Sequence, residues 1–294
     1  MIKTLTPFLF LLLVSSTLVG QTKLEYKLKK EDVFTVDQNA TQIITQELDG
    51  ATHVLTNQIN GILEFTVLNE VNTIYEVCMV FKDINLKITS SIQGEIMNIK
   101  AKEVKEGDLQ TKIFNALLNT PVTMFFAKNG NIIKAQGGDS LVTKMANAAG
   151  IEDDFSMISM KKSLEKEFGS KALSDSYKQM THFYPKDLVN IGDTWNNEYQ
   201  GKLTTKNTWT LANITNTETI INGTADVVMK ISEPNTTMNL KGTQETHITT
   251  NTANGFLKKM TVEGESKGVS IMTQMSDQEI PTTIKSIITY ELIP

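Results

Sequence analysis

Arginine is missing from this chain: all 28 of its basic residues are lysines. A guanidinium grips phosphate or carboxylate through two parallel hydrogen bonds, whereas lysine offers a point charge, so specific recognition of nucleic acid or phosphorylated ligands lacks its usual instrument. The formal charge of −5 is dispersed along 294 residues and leaves no basic footprint for nucleic acid or an anionic surface. An AT-rich coding bias accounts for the absence, in keeping with abundant Lys, Asn, Ile and Thr.

Cysteine is nearly absent too. Cys78 stands alone, so no intramolecular disulfide can form and packing must hold the fold. Around it Tyr75, Val77, Met79 and Phe81 alternate with Ile74, Cys78 and Val80, a strand apolar on both sides in which the thiol is expected to be buried and inert. The three histidines, His53, His182 and His247, are scattered, and no His/Cys/Asp/Glu cluster has metal-ligand spacing. There is no calcium-binding loop and no glycine-rich phosphate loop, so no metal and no cofactor is expected. Aromatics make up 7% of the chain, too few for the girdles of an outer-membrane barrel, and the C-terminus ends Glu291-Leu292-Ile293-Pro294.

What is present begins with a leader. Lys3, the apolar run Phe8 to Val14 and the small residues Ser15, Ser16 and Gly20 follow the order of a cleaved secretory signal peptide. The run is too short to anchor permanently in a bilayer. Residues 1–20 are expected to be removed, leaving residues 21–294 as a periplasmic or secreted protein of a Gram-negative bacterium, with no membrane span. A 40% hydrophobic share is enough for a packed core.

The remainder reads as one β-rich domain in three blocks. Residues 21–107 alternate polar and apolar, as in Leu63, Phe65 and Val67 against Glu64 and Thr66, and predict an antiparallel meander. Residues 108–186 change toward a helical period with one hairpin embedded: a helix over 109–118, strands 122–127 and 132–135, a helix capped by Asp139 or Ser140 through Ala149, another from Asp153 or Asp154 to Phe168, and a third over 171–181. Residues 187–294 return to long Thr-rich strands. Four Asn-Gly pairs, at Asn60, Asn129, Asn222 and Asn254, predict tight hairpin turns, because both positions tolerate positive φ. The expected fold class is α+β, mainly antiparallel β: a large curved sheet or open barrel, shared by both β blocks, with the helical insertion covering one side.

Two features invite a functional reading. Gly138-Asp139-Ser140-Leu141 spells the nucleophile block of the GDSL hydrolases, which would need a histidine base for Ser140. None of the three histidines has an aspartate three residues before it, and helix capping explains the same letters, so no catalytic residue is assigned and the hydrolase stays an alternative. The helical block also carries Leu141, Met145, Met157, Ile158, Met160, Leu164, Phe168 and Met180. These either line an apolar space under the helical cover or seal the core, since methionine suits adaptable apolar surfaces of both kinds. The reading is a non-enzymatic protein whose partner is a lipid, another apolar small molecule or an envelope protein. A structural or protein-interaction module of the cell envelope is the alternative.

Tyr26-Lys27-Leu28-Lys29-Lys30-Glu31-Asp32-Val33-Phe34 and Pro185-Lys186-Asp187-Leu188-Val189-Asn190-Ile191-Gly192-Asp193-Thr194-Trp195 together resemble two motifs of a family of uncharacterised exported Bacteroidota proteins, classed as a domain of unknown function. The first is similar to a Leu-x-Lys-Gly-Asp-x-Tyr start, with Glu31 where glycine is usual, so a different turn is expected there. The second is similar to the Gly-Asp-x-Trp that opens the family's second β block. The resemblance implies no activity, ligand or site residue, and its architecture is compatible with LolA-like or LppX-like lipid carriers.

Overall fold

The computed structural model describes residues 21–48, 50–201, 203–233, 236–273 and 278–294. The expected leader, residues 1–20, lies outside the described residues. The first block is the meander β1 (Val33–Leu48), β2 (Ala51–Val71), β3 (Ile74–Ser90) and β4 (Gly94–Lys100). The middle holds α1 (Leu109–Leu117), the hairpin β5 (Val122–Ala127) and β6 (Ile132–Gln136), then α2 (Gly138–Ala148), α3 (Asp154–Phe168) and α4 (Ser170–Thr181). The last block is β7 (Thr194–Tyr199), β8 (Leu203–Ile214), β9 (Glu218–Glu233), β10 (Thr236–Asn251), β11 (Leu257–Met272) and β12 (Glu279–Ile293).

All of these strands belong to one mainly antiparallel sheet, in the order β6-β5-β3-β2-β1-β12-β11-β10-β9-β8-β7, with β4 also on β3. The two β blocks meet where β1 pairs with β12, from Thr35 opposite Ile293 to Gln46 opposite Thr282. The sheet does not close: β6 and β7 are its free ends, and α4 packs beside both of them. The fold is therefore the expected open, curved sheet with a central helical insertion.

The upper half of the concave face is filled. Val36, Leu63, Met79, Leu117, Leu141, Met145 and Leu211 are fully enclosed there. The segment before β1 crosses this end, with the Tyr26 N–H donating to the Lys128 carbonyl and the Lys27 N–H to the Asn254 carbonyl, both at 2.8 Å. The Tyr26 ring sits edge-on to Phe126, Tyr184 and Phe256, and its hydroxyl donates to the Thr181 carbonyl at 3.1 Å.

Identical dipeptides take different parts. Asn129-Gly130 and Asn254-Gly255 turn as expected, with φ of 86° and 72° at their glycines. Asn60-Gly61 and Asn222-Gly223 do not: they lie in the middle of β2 and β9. At Gly223 tertiary packing overrides turn preference. Its cross-strand partner is Trp209, and a Cβ there would come within 2.3 Å of the indole. The missing side chain is filled by the ring, which closes the strand rather than ending it.

Two local expectations are also revised. Gly137, at φ 98°, caps α2, while Asp139 falls inside its first turn; Asp153 does cap α3, accepting from the N–H groups of Phe155 and Ser156. Cys78 is half-buried, because it points away from the concave face, and burial followed by the Glu64 carboxylate pushes its thiol pKa up. Glu31 takes a left-handed backbone conformation of the kind glycine favours, at φ 73°. A side chain in that region is strained by roughly 1 kcal/mol.

Glu31→Gly is expected to raise stability by about 0.5–1 kcal/mol, read as the urea midpoint at unchanged m-value. Gly223→Val, which drives a side chain into Trp209, is expected to cost about 2–3 kcal/mol in the same assay.

Candidate functional site

The strands outrun the helices. β2, with 21 residues, extends about 70 Å, whereas the 12 residues of α4 cover about 18 Å. Helix backbone approaches the sheet chiefly at β4, β6 and β7, so the far half of the concave face has little helical cover. On the N-terminal side this face carries Ile44 opposite Leu55, Leu86 opposite Ile59, and Ile88 opposite Met97, all half-buried. They alternate with Gln42, Asn57 and His53, whose Nε2 lies 3.0 Å from the Ser90 hydroxyl. The face is apolar with polar punctuation.

On the C-terminal side the sheet rolls tightly. A Cβ on Gly242 would lie 1.9 Å from the Glu265 carbonyl oxygen, and one on Gly268 would lie 2.1 Å from that of Asn239. With no side chains at those points, β10 curls until Met238 and Leu240 pack on Ile284 of β12, and Ile44, Met229 and Ile231 pack against them half-buried. Beside this cluster Gln46 donates to the Ser270 hydroxyl at 2.8 Å, and Ser270 lies 2.7 Å from Thr282. That buried polar set is satisfied by its own members.

The residues singled out in the helical block do not gather around one space. Leu141, Met145 and Met180 are at most 2% exposed and seal the main core. Met160, Leu164 and Phe168 are half-buried against it, and Phe168 meets Phe114 edge-on. Met157 is half-buried, while its neighbour Ile158, about 100° further round the helix, points outward at 54% exposure. No residue of α3 is fully buried. Sequence reading missed Met229, Ile231, Met238 and Ile284; the signal was apolar residues two apart on Thr-rich strands, with glycines on the strands beside them.

Ser140 is exposed on the first turn of α2, and the hydrogen-bonded side chains of the three histidines meet Ser90, Asn129 and Asn222 instead. Among the described residues no group of three metal-ligating side chains occurs.

Two grooves flank the sheet's open seam. One, about 610 Å³, lies between α3, α4 and the β7–β8 turn. The other, about 750 Å³, runs beside β7 from Asn129 and His182 to Trp195 and Asn197. Here the Gly-Asp-x-Trp motif does structural work: the Asp193 carboxylate accepts from the Asn190 N–H at 2.7 Å, and the Trp195 indole donates to the Phe183 carbonyl at 2.8 Å. His182 ends α4, its carbonyl accepting from Tyr199 at 2.7 Å, and its Nδ1 is buried without a partner among the described residues. Burial, then the positive charges of Lys178 and Lys186, lower its pKa from 6.5 to about 4.

Because folded His182 binds fewer protons than unfolded His182 between those values, stability is complete above pH 6.5 and declines as pH falls toward 4. The decline attributable to this group is up to roughly 3 kcal/mol, and His182→Gln is expected to flatten it in denaturation curves taken across that window.

Among solved structures the chain is similar to lipovitellin, in a structure concerned with lipid–protein interactions: TM-score 0.55 at 12% identity, over 91% of this chain and 26% of that one. The likeness is one of fold, and the chain spans about a quarter of lipovitellin's length. An outer-membrane channel from Pseudomonas putida F1 (TM-score 0.29, 6% identity, 92% of this chain and 98% of that one) superposes too loosely to bear on the fold. The same holds for the translocator domain of the autotransporter NalP from Neisseria meningitidis (0.22, 6%, 91% and 90%). No curated protein matches the chain by sequence. The pattern of DUF6263, a family of unknown function, matches residues 72–257, from the β2–β3 turn to the first residue of β11, and the chain belongs to that family.

Proposed function

We propose that this is an exported, non-enzymatic protein that holds a lipid or another apolar small molecule on the far half of its concave sheet. The observation that carries the reading is an inner face bearing Ile44, Leu55, Leu86, Ile88 and Met229, half-buried away from the helix approaches at β6 and β7. A face of this kind gains about 25 cal/mol for every Å² of apolar surface that a ligand covers. Lipovitellin, whose structure was examined for its lipid–protein interactions, supplies a fold-level precedent. The leader-like residues 1–20 support work outside the cytoplasm and a mature chain beginning at Gln21.

A second reading, an interaction module of the cell envelope, draws on α3, where Phe155 is 80% and Ile158 54% exposed.

Native mass spectrometry of the chain purified from its exported fraction separates the two. A mature mass beginning at Gln21 with small-molecule adducts that partition into organic solvent is expected. A bare chain that neither carries an adduct nor takes up added lipid would remove the first reading, and a co-purifying protein in its place would favour the second.

A further inference from the structure

The rolled end of the sheet and the groove beside α3 are joined by one run of cross-strand neighbours. The cluster of Met238, Leu240 and Ile284 is separate from the main core. Cross-strand register carries it to the surface: Leu240 pairs with Met229, and Met229 with Leu203. Leu203 is half-buried and lines the groove between α3 and α4. In the other direction Gly268 faces Leu240 and offers no side chain, and Leu240 joins one cluster with Ile284, whose cross-strand partner is Ile44. With strands about 4.8 Å apart, the way from β8 to β12 is about 19 Å along the curve. From Leu203 to Leu240 the row is apolar, it is incompletely covered at Met229 and Ile231, it meets the buried hydroxyl of Thr282 at β12, and its flexible methionines can repack around a guest.

The mouth differs in chemistry. Lys162, Lys166 and Lys171 line the groove together with Glu165, Glu167 and Asp175, three positive and three negative groups. Lys171 is bound to Asp175, and Lys166 reaches across the seam to Glu233 at the end of β9, 2.6 Å away. Three positive and three negative groups leave the groove lining with no net formal charge, and they offer many donors and acceptors for hydroxyls.

We propose that groove and cluster form one site for a single-chain amphiphile with an uncharged, hydroxyl-bearing head, its chain laid along Leu203, Met229 and Leu240 and its head in the groove. The Lys166–Glu233 pair latches the mouth. This rests on the apolar-ligand reading above and goes further in naming the place and the head group.

The test is displacement of 11-(dansylamino)undecanoic acid from the delipidated mature chain by monoolein and by oleate. Monoolein is expected to compete at least tenfold more tightly than oleate at pH 7.5. Met229→Trp, which fills the row, is expected to weaken monoolein at least tenfold; Leu203→Glu, at its solvent end, serves the same purpose should the first variant melt early. Glu233→Gln is expected to speed probe release several-fold with little change in affinity. If both row variants bind as the unmodified chain does, the site lies elsewhere on the concave face and this proposal falls while the apolar-ligand reading stands. Oleate binding as tightly as monoolein would overturn the head-group assignment, and absence of saturable binding by the unmodified chain would remove both readings.

Discussion

Everything in this molecule depends on the pairing of its first strand with its last. β1 and β12 join over a long, unbroken register, and only that ladder makes one sheet of two meanders separated by the whole helical block. Without it each half would present an unpaired edge, and neither would enclose enough apolar surface to hold its long strands. The pairing brings together residues near opposite ends of the chain, so its loop-closure cost must be met before its contacts repay it. The meanders, whose hairpins are local, supply the surfaces against which that closure becomes favourable.

The helical block follows from the open seam. A sheet that does not close needs its concave face filled from elsewhere, and the chain does so with α4 beside β6 and β7, with α1 and α2, and with the Tyr26 segment pinned between the two true Asn-Gly turns. This filling reaches only the upper half. Where it stops, the sheet manages its inner face in two ways: by rolling on itself at Gly242 and Gly268, and by leaving Leu86, Ile88 and their neighbours half-buried. The apolar-ligand reading and the amphiphile site both arise from that mismatch in length between strands and helices.

Much of this architecture was legible beforehand. The change from period two to a helical period near residue 108 and back again placed the insertion, and Asp153 marked the start of α3 through the side-chain oxygen that caps it. The eight apolar residues of the helical block were legible as buried or half-buried candidates, but their division was not. Ile158 and Met157 are adjacent in sequence, yet one is exposed and the other half-buried, because α3 packs on α2 and α4 through a single stripe. The Met229 to Ile284 cluster escaped notice for a related reason. Its members sit on β9, β10, β12 and β1, and no local pattern brings strands so far apart in sequence into contact.

The sequence by itself determined the class of fold, the order of its blocks, the lack of disulfides and the absence of metal-ligand spacing. Those properties are carried by residue type and short-range periodicity. Tertiary structure alone decided which Asn-Gly pairs turn and which run straight, since Gly223 is held in its strand by Trp209 from the neighbouring one. It also decided that Glu31 would adopt a glycine's conformation and that the sheet would curl at β10 and β11. In each case the deciding contact is made by a residue distant in the chain, and local preference of about 1 kcal/mol yields to packing worth several times that.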